Sequence, residues 1–186
     1  MDKVGFLYFL FQVVYFLAPV GVANMAPVLV KPYFRGLAIP LDGRLFFAGE
    51  RILGANKTVR GLIVGVIGGV LAVLMQSWLS SFPFFRELSF VDFTKVNVLW
   101  LGVLVGLGVI VGDAVGSFVK RRFRIPPGES FMPFDQIVAP LGAMLFIRPF
   151  YQVDLVILLS ALLISFFLHI VIKQIGYNLK LEKKKW

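Results

Sequence analysis

Long apolar stretches dominate this sequence and constrain its fold more than any other feature. A membrane-spanning helix needs about 20 consecutive apolar residues. Four stretches meet this requirement: roughly residues 4–30, 61–82, 96–119 and 153–175. Of the 186 residues, 59% are hydrophobic and 16% are charged, whereas soluble domains average about 45–50% and about 25%. We therefore predict an all-α integral membrane protein with a single transmembrane domain, and we exclude an ordinary soluble fold, a disordered chain and a coiled coil.

A fifth apolar stretch, roughly residues 134–149, is shorter and less regular than the other four. It is bounded by Pro133 and Pro149 and contains Pro140. Its length is barely enough to cross about 30 Å of hydrocarbon. The alternative to a membrane crossing is a re-entrant or interfacial segment.

The positions of lysine and arginine decide between these two topologies. If all five stretches cross, the loops 31–60 and 120–133 and the C-terminal segment 173–186 share one side of the bilayer. They carry six, four and five basic residues, against four on the other side: Lys3, Arg86, Lys95 and Arg148. The positive-inside rule then places the two loops and the C-terminus in the cytoplasm and the N-terminus outside. We therefore predict a multi-pass protein of the cell membrane with five transmembrane helices.

The residue types that are missing exclude several kinds of chemistry. The sequence contains no cysteine and one histidine, so disulfides, thiolate metal sites and a cysteine nucleophile are excluded. A histidine-clustered metal centre and a Ser-His-Asp triad are disfavoured. His169 lies near the middle of the last stretch, where we interpret it as a packing residue. Any bound metal must therefore be held by oxygen atoms.

The end of the third stretch carries the most unusual polar residues. At 100° per residue, Asp113, Ser117 and Lys120 lie on one face of a helix. Ionisable groups at membrane depth usually face the bundle interior or a wet cavity. A single ion pair between Asp113 and Lys120, or a nearby arginine, would be a purely structural alternative. However, a second acid, Asp135, follows the same basic loop, and two carboxylates flanking one loop suit an oxygen-ligated divalent cation such as Mg²⁺.

The loop 31–60 ends in a second candidate element. Asn56, Lys57, Thr58 and Arg60 lead directly into the second stretch. The N–H groups at the start of a helix, with cations beside them, form a natural binding site for phosphate. The Gly-x-x-x-x-Gly-Lys order of a Walker loop is missing. The alternative is a basic loop that adheres to anionic lipid headgroups.

Two motifs in these segments resemble those of a known family. One reads Gly112-Asp113-x-x-Gly116-Ser117-x-x-Lys120-Arg121-Arg122, followed by Pro127-Gly128 and Asp135-Gln136. It resembles the membrane cytidylyltransferase signature of CDP-diacylglycerol synthases. The other reads Gly54-x-Asn56-Lys57-Thr58-x-Arg60-Gly61, and together with the small size it narrows the resemblance to the archaeal CDP-archaeol synthase family. The bacterial signature also has a Lys-Asp pair and a histidine before its second acid; both are missing here, which leaves Glu129 and Ser130 unassigned.

The resemblance implies a reaction and a set of site residues. The reaction is the Mg²⁺-dependent transfer of a cytidylyl group from CTP to 2,3-bis-O-(geranylgeranyl)-sn-glycerol 1-phosphate, which gives CDP-archaeol (unsaturated) and pyrophosphate. Asp113 and Asp135 would hold the metal ion, and Lys120 would join them as a catalytic residue. The nucleotide and its phosphates would be bound by the remaining motif residues: Asn56, Lys57, Thr58, Arg60, Ser117, Arg121 and Arg122. The expected partners are CTP, a prenylated glycerol phosphate and membrane lipids, without nucleic acid; the oligomeric state stays open.

Two other functions remain alternatives at the level of the sequence. A CDP-alcohol phosphotransferase needs a dense Asp-rich motif, of which only Asp42-Gly43 matches the beginning. A small membrane transporter would move a ligand without consuming a nucleotide. The lysine-rich tail, Lys180–Lys185, is interpreted as a solvated or lipid-contacting end, not as part of a catalytic site.

Overall fold

The computed structural model describes residues 3–178, which form a helical bundle with one small hairpin. The helices are α1 (Lys3–Leu29), α2 (Val59–Leu79), α3 (Pro83–Leu88), α4 (Val98–Arg122), α5 (Phe134–Phe146) and α6 (Leu155–Asn178). A 3₁₀ turn (Arg35–Leu37) and the strands β1 (Phe46–Phe47) and β2 (Glu50–Arg51) lie between α1 and α2. The tail Lys180–Lys185 lies outside the described residues.

The lengths of the helices confirm the helical membrane fold. Within residues 3–178, three helices are long and apolar enough to cross a bilayer: α1, α2 and α4. The apolar part of α6, Leu155–Val171, and the helix α5 are shorter. At 1.5 Å per residue, the 13 residues of α5 extend about 20 Å, less than the thickness of about 30 Å of the hydrocarbon layer. The count of five crossings therefore stays a prediction.

Side-chain caps and basic residues set the ends of the helices that carry the motifs. The Thr58 hydroxyl accepts a hydrogen bond from the Gly61 N–H at 3.2 Å and caps the start of α2. At its other end, α4 continues through Lys120–Arg122, three residues beyond the predicted end of the third stretch. Basic side chains are favourable in the last turn of a helix because they face the negative end of its dipole. These residues therefore belong to α4 and not to the loop that was predicted for 120–133.

Glycines allow α4 to lie against α2 on one side and α5 on the other. A Cβ atom at Gly69 would lie 2.8 Å from the Gly106 nitrogen, and one at Gly106 would lie 2.5 Å from the Val66 Cα. A Cβ atom at Gly112 would lie 2.1 Å from the Val138 oxygen on α5. Such small-residue contacts let helix backbones approach closely in a membrane. These glycines thus mark packing faces inside one bundle, with α4 in the centre.

The 45–52 hairpin comprises the two short strands and their turn. Phe46 pairs with Arg51 and Phe47 with Glu50 in antiparallel register. The turn residues Ala48 and Gly49 both have positive φ angles, 51° and 82°, which is the geometry of a type I′ turn. Two-residue strands are too short to show an alternating pattern, so the sequence does not predict this hairpin.

Candidate active site

The loop before α2 meets the loop before α5 at the C-terminal end of α4. Their meeting point is Gly54, whose φ angle of 98° favours glycine. A Cβ atom at Gly54 would lie 3.5 Å from Cγ of Pro127 and 3.8 Å from Nη1 of Arg121. The two loops that carry the predicted motifs are therefore in contact with each other.

An ion pair joins the first loop to the acid on α4. Lys57 lies just before α2, and its Nζ donates to Oδ2 of Asp113, 56 residues further along the chain. Both side chains are partly buried. The lysine of one predicted motif is thus brought to the carboxylate of the other.

A second ion pair joins the end of α4 to the start of α5. The Lys120 Nζ lies 2.8 Å from Oδ1 and 3.0 Å from Oδ2 of Asp135. The same Nζ donates to the Glu129 carbonyl at 3.1 Å, and the Phe131 N–H donates to Asp135 at 2.9 Å. Lys120 therefore fixes both the second acid and the loop that precedes it.

The oxygen atoms that these residues offer as ligands fit a hard divalent cation. The carboxylates of Asp113 and Asp135 and the buried hydroxyl of Ser117 offer only oxygen. Among residues 3–178, no three His, Cys, Asp or Glu residues lie close enough together to hold a metal ion. A cation bound here would complete its shell with water and phosphate oxygens, as Mg²⁺ commonly does. Each carboxylate pairs with its own lysine in the structure, and their joint binding of one cation stays a prediction.

The other residues of the predicted site have different surroundings. Arg60 is buried and donates from Nη1 to the Tyr33 carbonyl at 2.8 Å, which ties the first loop to the start of α2. Arg121 is only 4% exposed, and its Nε has no hydrogen-bond partner within residues 3–178. Asn56 is exposed. Of these residues, Arg121 has a buried donor without a partner among the described residues, whereas Arg60 is engaged in holding the loop.

Arg122 holds the 45–52 hairpin against α4. Its Nη1 donates to the Phe47 carbonyl, and its Nη2 donates to the Arg51 carbonyl at 2.9 Å and weakly to the Glu50 carbonyl at 3.4 Å. The guanidinium carbon lies 5.2 Å from the ring centroid of Phe47 and 5.0 Å from that of Phe118. The resemblance implies a phosphate contact for Arg122; in the structure both of its Nη groups donate to the hairpin, while its buried Nε has no hydrogen-bond partner within residues 3–178.

Asp42 organises the loop just before the Asn56–Arg60 element. Its carboxylate is 6% exposed and accepts hydrogen bonds from the Arg51 guanidinium and from the N–H groups of Gly54 at 3.0 Å, Leu53 at 3.2 Å and Arg44 at 3.1 Å. Burial by itself would raise the pKa of Asp42, but these hydrogen bonds outweigh it and lower the pKa to about 2. The Asp-Gly pair is a common turn signal, and it is the one sequence feature that could have indicated this role.

The low pKa of Asp42 predicts how the loop responds to acid. Because the folded-state pKa is depressed, the stabilisation is complete above the ordinary aspartate pKa of about 4 and is lost as the pH falls toward 2. We expect hydrogen-exchange protection factors at Leu53 and Gly54 to be constant above about pH 5 and to collapse between about pH 4 and 2. In Asp42→Asn, protection of both amides should already be low at pH 7. Wild-type protection in that variant would show that the carboxylate does not hold the loop.

Comparison with known proteins identifies the family. The family model described as "CarS-like: CDP-archaeol synthase" matches residues 6–186. The CDP-archaeol synthase of Archaeoglobus fulgidus is 35% identical over 183 residues, which cover 94% of this chain and 97% of the relative. The chain belongs to the CDP-archaeol synthase family. The CDP-archaeol synthase of Methanocaldococcus jannaschii is similarly related, with 32% identity over 178 residues, 95% of this chain and 97% of the relative.

A solved structure supports the same assignment. It is described as an intramembrane enzyme for archaeal membrane lipids biosynthesis and matches with a TM-score of 0.69 and 27% identity, covering 85% of this chain and 90% of that one. Membership in the CDP-archaeol synthase family confirms the resemblance that the two motifs predict. The chain is therefore an enzyme, a cytidylyltransferase of archaeal ether-lipid biosynthesis, and a multi-pass membrane protein.

Proposed function

We propose that the chain transfers the cytidylyl group of CTP to 2,3-bis-O-(geranylgeranyl)-sn-glycerol 1-phosphate with the help of Mg²⁺. The observation that carries this proposal is the pair of lysine–carboxylate contacts at the meeting point of the two basic loops. Lys57 with Asp113 and Lys120 with Asp135 place both signs of charge along the C-terminal half of α4. Binding of phosphates requires positive charge, and binding of their metal ion requires negative charge.

The proposed topology has five crossings, with the N-terminus outside and both loops in the cytoplasm. In this arrangement the site faces the compartment that contains CTP, while the lipid phosphate reaches it from the inner leaflet of the cell membrane. The distribution of lysine and arginine supports this orientation. The short helix α5 would then cross as the fourth segment.

The chemistry requires positioning and charge neutralisation more than a strong base. An oxygen of the lipid phosphate attacks the α-phosphorus of CTP and forms a new P–O bond. The bond from the α-phosphorus to the bridging oxygen breaks, and pyrophosphate departs with that electron pair. Because the nucleophile is already an anion, the main barrier is the approach of two anions. Fixed cations and accurate alignment reduce this barrier.

The residues of the site divide this work between them. Asp113 and Asp135 would hold Mg²⁺, which when bound neutralises charge on phosphate oxygens. Lys57 and Lys120 would turn from their carboxylates to the phosphates, and Arg121 would offer its buried Nε. The Ser117 hydroxyl and the exposed Asn56 amide would add neutral hydrogen bonds to the same ligand. Thr58 and Arg60 would fix the start of α2, and Arg122 would act through the hairpin.

The contacts of Arg122 predict that lysine cannot replace it. A lysine cannot donate in a planar fork to several carbonyls or make the same guanidinium contact with two rings. Each hydrogen bond from a charged group contributes about 1.5–3 kcal/mol. We therefore expect Arg122→Lys and Arg122→Ala to raise the apparent KM for CTP equally, by about tenfold or more, and to expose the hairpin amides to hydrogen exchange. Near-normal KM and exchange in the lysine variant would instead indicate a direct phosphate contact.

One experiment tests the proposed reaction against its alternatives. Purified protein in lipid nanodiscs is incubated with labelled CTP, Mg²⁺ and the prenylated glycerol phosphate, with an EDTA-treated sample as control. We expect a lipid-soluble cytidine product, an equal amount of pyrophosphate and no product with EDTA. Release of CMP from a supplied CDP-lipid, without use of CTP, would indicate a phosphotransferase. Movement of lipid without nucleotide consumption would indicate a transporter, and either result would overturn the proposal.

A further inference from the structure

The 45–52 hairpin presents an apolar segment, residues 45–47, that the described part of the chain leaves exposed. Leu45, Phe46 and Phe47 are 63%, 67% and 59% exposed. Three consecutive large apolar side chains would be costly to leave in water, because each gains free energy when its surface is removed from the solvent. Contiguous exposed apolar surface of this kind commonly marks an interaction site.

The position of the hairpin indicates what covers this apolar segment. The Phe47 ring stacks on Phe118 of α4, with ring centroids 6.4 Å apart and planes 30° apart. Phe118 shares one face of α4 with Val111 and Val115, and all three side chains are exposed. In a multi-pass membrane protein, an exposed apolar helix face contacts lipid. The hairpin therefore extends the lipid-facing surface of α4 past the end of that helix.

Contacts with α4 and within the hairpin hold it in this orientation, so its exposed apolar segment does not turn back onto the protein. The Arg122 guanidinium lies against the rings of both Phe47 and Phe118 and donates to hairpin carbonyls. The Ile52 N–H donates to the Leu45 carbonyl at 3.1 Å and closes the base of the hairpin. Arg44 beside the hairpin is exposed. An exposed apolar segment with a neighbouring cation matches the chemistry of elements that lie in a membrane interface with anionic headgroups.

We propose that the 45–52 hairpin is a membrane-docking element that inserts Leu45, Phe46 and Phe47 into the bilayer interface at the C-terminal end of α4. Its partner is the lipid surface itself. This role is independent of the proposed reaction, and it explains why a cation of the family motif, Arg122, is directed at the hairpin. The membrane would then support the loop that carries Lys57.

The absence of cysteine from the sequence allows a direct test by site-specific labelling. Phe46→Cys is labelled with the fluorophore NBD and reconstituted at one chain per nanodisc of phosphatidylcholine and phosphatidylglycerol. Val111→Cys on the exposed face of α4 serves as the lipid reference, and Lys95→Cys, whose side chain is 80% exposed in a loop, serves as the water reference. We expect emission from position 46 to be blue-shifted and to be quenched by nitroxide-labelled lipids, as at position 111. A label at position 95 should be quenched mainly by water-soluble iodide.

The possible outcomes separate the lipid surface from other partners. Water-like emission and iodide quenching at position 46 would overturn the proposal. A blue shift without quenching by nitroxide lipids would show that protein covers the apolar segment, and this result would also overturn the proposal. Leu45→Cys repeats the measurement if Phe46→Cys does not fold, as judged by its thermal unfolding midpoint. Because no arm uses CTP, the result does not depend on whether the proposed reaction is correct.

Discussion

Asp113→Asn is expected to lower the rate of CDP-lipid formation by at least about 10³-fold while the protein still inserts and folds. A carboxylate that holds a metal ion on a phosphate stabilises the transition state by several kcal/mol. Each 1.36 kcal/mol of activation free energy changes the rate about tenfold. Asparagine keeps the shape of aspartate but loses the charge. It also leaves Lys57 without its anionic partner, so the lysine is no longer positioned by an ion pair.

The measurement needs a control that changes an acid to an amide elsewhere. Asp154 caps the start of α6, where its Oδ1 accepts from the Val156 N–H at 2.8 Å, and it is exposed. Asparagine is an equally good capping residue, so Asp154→Asn should retain wild-type turnover. Initial rates with labelled CTP and thermal unfolding are compared for both variants. Wild-type-like turnover in Asp113→Asn would remove the metal-binding role of Asp113 and leave only its ion pair with Lys57.

The polar face of α4 could be predicted from the sequence because it depends on local geometry. Asp113, Ser117 and Lys120 lie on one continuous helix, and helical periodicity alone brings them to one side. The apolar stretches predict α1, α2 and α4 for the same reason, since length and hydropathy decide whether a helix can cross a bilayer. The family motifs extend this prediction to the reaction.

The partners of these residues could not be predicted, because they depend on contacts between distant segments. The structural alternative considered for Asp113 was a pair with Lys120 or a nearby arginine, but its observed partner is Lys57. Lys120 pairs with Asp135 instead. The role of Arg122 depends on carbonyl groups more than 70 residues away, and carbonyl groups carry no sequence signal. A motif residue can therefore be located from the sequence while its partner remains undetermined.

The helix ends show a similar limit. Hydropathy ends the third stretch near Val119 because the next residues are charged, yet α4 continues to Arg122. Hydropathy reports where the hydrocarbon ends, whereas hydrogen bonding and the helix dipole decide where the helix ends. These three additional helical residues place Lys120 within 3.0 Å of Asp135 and Arg122 beside the hairpin.

Gly142→Ala is expected to disrupt the packing of α4 against α5 and to lower both stability and activity. A Cβ atom at Gly142 would lie 2.2 Å from the Gly108 carbonyl oxygen and 2.9 Å from the Gly112 Cα. Both contacts are with backbone atoms, so no side-chain rotation can relieve them and the helices must separate. Overpacking of this kind costs about 1–3 kcal/mol. The same interface carries Lys120 and Asp135 at the C-terminal end of α4, so a shift of α5 should also weaken their contact and reduce turnover.

Gly21→Ala is the matched control for this substitution. Gly21 lies in α1, and a Cβ atom added there meets nothing within 4 Å among the described residues. Alanine favours a helix over glycine by about 0.8–1.0 kcal/mol, so this variant should unfold at the wild-type temperature or slightly above it and keep full activity. Thermal unfolding in one detergent and initial rates in nanodiscs are measured for both variants. Equal behaviour of Gly142→Ala and Gly21→Ala would contradict a close α4–α5 contact, and with it the backbone geometry that brings Lys120 to Asp135.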